Sequence, residues 1–297
     1  MTPITSAQTQ KMLTDSLHKF LFEDFPIKGS IVHLHSSWSE ICSKARPLPQ
    51  YRHMLAEAVC ASVLLTSNIK FSGSVSLQIQ SGGALGLLVA QCTEKHEVRG
   101  VIRGASDSDE AMMHKPLLSI NLEPADGGVP YSGMVSLHED GLARALEQYF
   151  EQSEQLETRF WLATGEHCCS GFMLQRMPGQ SLDSDAWNRV LALASTISNQ
   201  ELLDLEASNL LRHLFSQENL RIFKPASVRF GCRCSVARVS SMLKSLGESE
   251  VQSIIKERGT VEVSCEYCGQ TYKFDRIDVI QLFGPGQIMV SDMPGTQ

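Results

Sequence analysis

The sequence predicts an α+β protein in three parts: an N-terminal mixed α/β-sheet domain, a helical linker and a small C-terminal domain organised by cysteines. Three observations predict this class. Residues 1–178 mix alternating apolar segments with helical ones, residues 179–230 carry apolar side chains at helical spacing, and residues 231–297 contain two close cysteine pairs. A chain of 297 residues is long enough for one large domain and a smaller one.

The composition is that of a folded protein that has no general attraction to nucleic acid or to an anionic membrane. Hydrophobic residues make up 42%, charged residues 20%, and the net charge is −7. The first eight residues lack a secretory signal, and no apolar run approaches the ~20 residues of a membrane-spanning helix. Nine cysteines without an export signal predict a cytoplasmic protein whose paired thiols serve metal or redox chemistry.

Apolar spacing predicts the elements of the N-terminal domain. Leu13, Leu17 and Phe20 recur at helical spacing, so residues 7–24 are predicted to form a helix. The remaining predicted elements are strands at 31–35, 75–80, 85–90, 98–102, 117–122, 131–137, 159–162 and 171–174, and helices at 48–65 and 142–150. Strands in consecutive pairs, with helices at their ends, predict an α+β domain that ends near Pro178.

Two apolar helical stripes follow this domain. The first begins with Trp187, Val190 and Leu191, and the second runs from Leu202 to Phe215. Helices this short are not stable alone in water, so both must dock on a neighbouring domain. If docking failed, each exposed Leu or Phe would lose on the order of 1.5–3 kcal/mol of burial energy, and the surface would become adhesive. A permanently packed helical subdomain is the commoner fate of such stripes.

The C-terminal segment carries a metal-ligand pattern. Cys232 and Cys234 form one close pair, and Cys265 and Cys268 form another after a fold-sized spacer. Each pair can supply one edge of a tetrahedral thiolate site, for which zinc is the expected ion. No histidine follows His213, so within this segment the four sulfurs must complete the shell and the metal is predicted to be structural. A module of roughly 60 residues folds poorly on its core alone, whereas bound zinc can add ~10–16 kcal/mol of apparent binding free energy.

The same sulfurs permit redox chemistry. Thiolate is both the metal ligand and the form that an oxidant attacks, so the four sulfurs can become two disulfides and release the zinc. The spacing of Cys265 and Cys268 suits a disulfide, whereas Cys232 and Cys234 would close a tight ring that is easily reduced. Disulfides that form easily and are easily reduced indicate a redox switch.

One alternative is a zinc ribbon that binds nucleic acid. Between Cys232 and Asp278 the sequence carries seven basic and seven acidic residues. This balance provides no electrostatic footprint for a polyanion and weighs against the alternative.

A second alternative is a thiol-disulfide oxidoreductase that uses Cys265 and Cys268. Such enzymes place the first cysteine at a helix N-terminus, which lowers its pKa. Here the preceding residues 261–264 are predicted to form a strand that enters a zinc knuckle. We therefore predict that the protein is not an enzyme.

The cysteine pattern resembles that of the redox-regulated molecular chaperones of the 33-kilodalton heat-shock protein family. The hallmark of the family is a Cys-x-Cys pair followed, after a long spacer, by Cys-x-x-Cys, here Cys232, Cys234, Cys265 and Cys268. Supporting stretches lie at 149–150, 153–156, 158–159, 165–178 and 250–255. One difference is local: after Cys234 the family usually continues with charged residues, whereas this chain continues with Ser-Val-Ala.

The resemblance implies a holdase that works without ATP hydrolysis. It implies an N-terminal α+β domain over 1–178 that dimerises and binds clients, a metastable helical linker over 179–230, and a zinc-binding redox-switch domain over 231–297. The reduced form would hold one zinc ion per chain and be inactive. Oxidation would form disulfides between Cys232 and Cys234 and between Cys265 and Cys268, and the active homodimer would bind unfolded or partly unfolded client proteins. The remaining cysteines match no switch position: Cys42, Cys60, Cys92, Cys168 and Cys169.

Overall fold

The structure, a computed structural model, describes residues 14–68, 72–82, 84–104, 116–179, 183 and 185–284. The chain divides into two units, Met1–Gly231 and Cys232–Gln297. The predicted α+β class is confirmed: a mixed sheet and helix region comes first, and four clustered cysteines lie near the C-terminus. The finer division at residues 178 and 230 stays a prediction.

The first unit contains two sheets, one antiparallel and one mixed, and a central helix that contacts both. In chain order its elements are β1 (Ser16–Phe22), β2 (Ile27–Leu34), α1 (Ser36–Ala45), α2 (Pro49–Thr66), β3 (Gly73–Gln80), β4 (Leu87–Thr93), β5 (Glu97–Arg103), β6 (Leu117–Pro124), β7 (Tyr131–Ser136), α3 (Gly141–Tyr149), β8 (Thr158–Thr164), β9 (Cys169–Arg176), α4 (Ala186–Ala194), α5 (Asn199–Asp204), α6 (Ala207–Leu214), β10 (Leu220–Ile222), β11 (Ala226–Ser227) and β12 (Arg229–Phe230). A π-helical turn, Phe150–Glu154, extends α3.

The first sheet has the order β10-β1-β2-β9-β8, with β11 also paired to β1, and the second has the order β12-β5-β4-β3-β6-β7. All the pairs are antiparallel except β12 with β5. The helix α2 contacts strands of both sheets. Its inner residues are almost all buried and many are small, such as Ala58, Ala61 and Ser62. A helix buried on most sides lacks a polar face, which explains its nearly continuous apolar sequence.

The prediction of a helix over residues 7–24 is wrong for the part that the structure describes. Ser16–Phe22 forms strand β1, while residues 7–13 lie outside the described residues. Leu17 packs into the core around α2, whereas Phe20 and Phe22 pack on the opposite face of the sheet. Both faces of β1 are covered, so apolar residues occur on both faces and their spacing resembles that of a helix. The pairing of β1 with β2 stabilises the strand instead.

The linker helices, α4, α5 and α6, cover the face of the first sheet that is turned away from α2. We call this the covered face; its main side chains are Phe20, Phe22, Ile31, Phe172 and Leu174. The linker helices contribute the other half of this apolar cluster, with Val190, Leu202, Leu210 and Leu211 all at 0 or 1% exposure.

The second predicted linker stripe, 202–215, is two helices rather than one. α5 ends where Leu205 adopts an extended backbone, and α6 begins at Ala207. At the start of α5, Ser198 and Glu201 form a reciprocal capping box. Beyond α6 the chain returns to strands, because Leu220–Ile222 and Ala226–Ser227 both pair with β1.

His33 joins the covered face to the linker helices. Its ring Nε2 donates a hydrogen bond to the carbonyl oxygen of Leu202 in α5 at 3.1 Å, and the residue is only 4% exposed. Burial, reinforced by the nearby His18, lowers the pKa of His33 from 6.5 to about 4. The folded state therefore holds His33 as the neutral imidazole.

Because of His33, we expect the packing of the linker helices on the covered face to be sensitive to acid. Because the pKa of His33 is lower in the folded state than in the unfolded one, stability should fall as pH drops from 6.5 toward 4. We expect protonation of His33 to lower the free energy of unfolding by about 2 kcal/mol between pH 7 and pH 5, measured by urea unfolding followed by tryptophan fluorescence. His33→Gln keeps an N–H donor but cannot titrate, so its pH dependence should be flatter. His167→Gln, at an exposed histidine of the same unit, should behave like the parent; a parent-like slope in His33→Gln would contradict the assignment.

The second unit is small. Its elements are α7 (Val236–Leu246), α8 (Glu248–Arg258), β13 (Val261–Ser264), β14 (Thr271–Phe274) and α9 (Arg276–Phe283). Its described core consists of six buried apolar side chains: Val239, Leu243, Val251, Val261, Phe274 and Val279. A core of this size is a weak basis for independent folding. Across the described part of the chain, no helix combines the length and apolar character needed to cross a membrane.

Candidate metal centre

The two cysteine pairs lie on loops that flank the elements of the second unit. Cys232 and Cys234 precede α7, whose N-cap Ser235 accepts a hydrogen bond from the Arg238 amide. Cys265 and Cys268 lie in the turn between β13 and β14. The turn is closed by hydrogen bonds from the Cys265 amide to the Gln270 carbonyl and from the Gly269 amide to the Cys265 carbonyl.

The backbone conformation of this turn favours glycine at position 269. The φ of Gly269 is +73°, in the left-handed region that residues other than glycine rarely adopt. The turn therefore closes directly after Cys268 and directs the backbone into β14. The sulfurs of Cys265 and Cys268 lie within 4.8 Å of each other.

The four sulfurs converge in space as the sequence pattern predicts. The Sγ atoms of Cys232, Cys234, Cys265 and Cys268 all lie within 4.8 Å of one another. The Cys232–Cys265 Sγ distance is 3.5 Å and the Cys234–Cys268 Sγ distance is 3.3 Å. A tetrahedral thiolate site with metal–sulfur bonds of about 2.3 Å places its sulfurs about 3.8 Å apart. The cluster therefore fits a four-coordinate metal ion, and all four ligands are cysteine.

Hydrogen bonds and burial give the four thiols different acidities. Desolvation opposes ionisation of Cys232, but the backbone amide of Cys234 and the neighbouring sulfurs outweigh it and lower the pKa to about 7. Desolvation and the adjacent sulfurs raise the pKa of Cys268 to about 12. Several thiolates this close together repel one another, so a bound cation is what allows all four to ionise.

Neighbouring groups also favour the thiolate forms. The backbone of Cys234 acts to lower the pKa of Cys232, the backbone of Gln270 opposes the rise in the pKa of Cys268, and Tyr272 opposes the rise in the pKa of Cys234. Tyr272 was not predicted from the sequence. Its position in a strand directly after the Cys-x-x-Cys turn was the available signal, because a hairpin folds such a residue back toward the turn.

The other cysteines lie in the first unit and are not joined in disulfides. Cys60, Cys92 and Cys169 are buried, while Cys42 and Cys168 are half-buried. Burial raises the pKa of Cys92 to about 12 and that of Cys169 well above its ordinary value. Cys60 is a core side chain. Thiols held protonated in this way react slowly with oxidants in the folded state.

The position of Cys265 bears on the oxidoreductase alternative. It follows β13 and enters a tight turn, so it does not lie at a helix N-terminus. The hydrogen bonds of the turn are those of a hairpin that presents two ligands, and helix-dipole activation of the first cysteine is absent.

Comparison with known proteins gives a consistent result. The family model described as Hsp33 protein matches residues 15–275. A 33 kDa chaperonin of Methylobacillus flagellatus is 41% identical over 281 residues, which cover 91% of this chain and 95% of that protein. A 33 kDa chaperonin of Nitrosococcus oceani is 41% identical over 273 residues, with 91% and 94% covered.

A solved structure supports the fold. The crystal structure of the 33 kDa chaperonin (heat shock protein 33 homolog) of Thermotoga maritima matches with a TM-score of 0.77, covering 90% of this chain and 97% of that one. At 20% identity this likeness bears on the fold alone. Together with the family match over residues 15–275, the relatives show that this chain belongs to the Hsp33 protein family.

Proposed function

We propose that this protein is a redox-regulated holdase chaperone. Membership of the Hsp33 family supports a chaperone role, and the cluster of four thiols within 4.8 Å is the observation that supports redox control. In the proposed cycle the reduced, zinc-bound form is inactive. Oxidation forms disulfides, releases zinc, unfolds the second unit and the linker helices, and exposes apolar surface that prevents aggregation of unfolding proteins.

The proposed metal is zinc, one ion per chain, held by Cys232, Cys234, Cys265 and Cys268. Four thiolates in a tetrahedron are a typical structural zinc shell, and a closed shell leaves no position for substrate. When bound, zinc supplies charge neutralisation and cross-links the two loops. The six-residue described core of the second unit makes this cross-link a large part of its folding energy.

The proposed switch is oxidation of these sulfurs by hydrogen peroxide. A thiolate sulfur attacks one peroxide oxygen, the O–O bond breaks, and the sulfur becomes a sulfenic acid as hydroxide leaves. The partner thiol attacks that sulfur, the S–O bond breaks, and water leaves as the disulfide forms. Each disulfide passes two electrons to one peroxide. The family resemblance favours pairing within each motif, Cys232 with Cys234 and Cys265 with Cys268.

The proposed client surface is the covered face together with the apolar sides of the linker helices. Phe215 from the linker lies 5.1 Å from Phe22 and 6.4 Å from Phe20 between ring centroids, so release of the linker uncovers an aromatic cluster. Cys232 follows β12 by two residues in the chain, so disorder of the second unit begins directly after the strand that ends the first. Exposed clusters of this kind are adhesive to unfolded chains.

The remaining parts of the proposal concern partners and location. Clients are unfolded or partly unfolded proteins, and the active form is a homodimer in the cytoplasm. Nucleic acid and membranes are not expected as partners, because the net charge is −7 and the second unit has balanced charges. The proposed activity is binding of client proteins without catalysis, so we expect no turnover of a dithiol substrate.

An aggregation assay tests the proposal. We expect peroxide-treated protein to suppress light scattering of a thermally unfolding client, and the reduced zinc-bound protein to be inactive. A chromogenic chelator should record one zinc released per chain, and peptide mapping should identify the disulfides. Cys168→Ser, a half-buried cysteine outside the cluster, should behave like the parent. Equal protection by the reduced and oxidised forms would remove the switch from the proposal.

A further inference from the structure

The second sheet ends in the two-residue strand β12, which lies just before the first cysteine of the metal cluster in the chain. β12 pairs with the edge of β5 in parallel, whereas the other described pairs of both sheets are antiparallel. The amide of Arg229 donates to the carbonyl oxygen of His96 at 3.1 Å, and the amide of Gly231 donates to that of Val98 at 3.1 Å. β12 therefore covers an edge of β5 that accepts an extended backbone.

The side chains around β12 show which chemistry this edge accepts. Val228, directly before the strand, is buried in the core around α2. The ring of Phe230 packs against the same core, and the ammonium group of Lys44 in α1 lies 5.5 Å from the ring centroid. Between these two apolar residues, Arg229 pairs with the Glu97 carboxylate at 2.7 Å. The edge therefore fits an extended segment with apolar residues at alternate positions and a basic residue between them.

β12 is held in place by few interactions. The Arg229 side chain is 68% exposed, so water and salt screen its pairing with Glu97. The strand is only two residues long, and after Gly231 the chain continues directly into the second unit. In the proposed oxidised state that unit is disordered, so β12 has no ordered segment after it. A sheet edge whose covering strand leaves presents unpaired backbone groups, which are a template for another extended chain.

We propose that the edge of β5 is a docking site for an extended segment of a client protein, which replaces β12 in the oxidised protein. The client segment adds a strand to the second sheet by backbone hydrogen bonds and places apolar side chains where Val228 and Phe230 now lie. The inference rests on the proposed redox function and deepens it, because it names a second client site, separate from the covered face. In the reduced protein β12 occupies this site and acts as an internal competitor.

A labelled peptide with the sequence of residues 226–231, Ala-Ser-Val-Arg-Phe-Gly, is the probe, and fluorescence polarisation measures its binding to the full chain. We expect the peptide to bind the peroxide-treated protein at least about 10-fold more tightly than the reduced zinc-loaded protein, because β12 blocks the site in the reduced form. The matched control peptide carries N-methyl groups on the nitrogens equivalent to those of Arg229 and Gly231. It keeps every side chain but lacks the two donors to β5, so its affinity for the oxidised protein should fall about 10-fold or more.

Phe230→Ser tests the competition within the chain. The substitution removes the apolar side chain that holds β12 against the core. Because a weakened β12 leaves the edge of β5 open more often, the oxidised variant should bind the peptide about 10-fold more tightly than the oxidised parent. A purely structural role of Phe230 would not raise this affinity. Phe223→Ser is the matched control, since Phe223 is exposed and lies outside β12; it should bind like the parent.

The outcomes separate this inference from the function beneath it. If the oxidised parent neither releases zinc nor protects a client from aggregation, the proposed function fails. If it protects clients but binds both peptides equally, or binds neither, the edge of β5 is not a client site. Unchanged peptide affinity in oxidised Phe230→Ser would show that β12 is no competitor and would also overturn the inference.

Discussion

Replacement of Cys268 by serine is expected to unfold the second unit of the reduced protein. The cluster loses one of four ligands that lie within 4.8 Å of one another, and the six buried apolar side chains of this unit form a small core. Zinc in comparable modules provides ~10–16 kcal/mol of apparent folding energy, so the loss should exceed what the core can offset. Far-UV circular dichroism and limited proteolysis should show loss of α7, α8 and α9, and zinc content should fall.

A metal chelator applied to the reduced parent protein should reproduce this result. Restoring zinc should reverse it for the parent but not for Cys268→Ser. Cys168→Ser removes a cysteine of similar exposure from the first unit and should keep both zinc and proteolytic resistance. Metal-free parent protein that stays compact and resistant would contradict the structural role of the ion.

Replacement of Leu210 by alanine is expected to activate the protein without oxidation. Leu210 is fully buried between α6 and the covered face. Truncation of a buried leucine costs about 2–5 kcal/mol, and short docked helices have little stability of their own with which to absorb it. The linker helices should therefore leave the covered face in a measurable fraction of reduced molecules. Binding of a hydrophobic dye and suppression of client aggregation, both in reductant, measure this release.

Arg212→Ala provides the matched control, because Arg212 is exposed on the same helix. It should remain inactive when reduced. Zinc content should stay at one per chain in both variants, since neither residue belongs to the metal cluster. If Leu210→Ala unfolds more easily but gives no protection to clients in reductant, the covered face is not the client surface.

The clustering of the four cysteines was predictable from the sequence to a degree that the fold around them was not. Cysteine ligands occur in close pairs whose spacing alone identifies them, so Cys232 to Cys268 could be assembled without a structure. Periodicity also identified α2 and the strands β3 to β7 of the second sheet, but not β12. It failed at β1, where apolar residues on both faces of a doubly covered sheet mimic a helix. A strand of this kind is defined by partners that are distant in sequence.

The contact that holds α5 on the covered face could not be predicted from the sequence for the same reason. The hydrogen bond from His33 to Leu202 joins residues that are 169 positions apart. The local sequence around either residue gives no indication of the other. Spacing predicts which residues bind a metal, whereas hydrogen bonds around them depend on the assembled fold.

The short strands after α6 have a consequence for how the linker helices can move. β9 precedes these helices and β10 and β11 follow them, and all three strands belong to the first sheet. The helical segment is therefore a tethered loop, anchored on the same sheet at both ends. After the helices detach, the two anchors limit how far they can move from the covered face. Re-docking is therefore an intramolecular step whose rate does not depend on protein concentration.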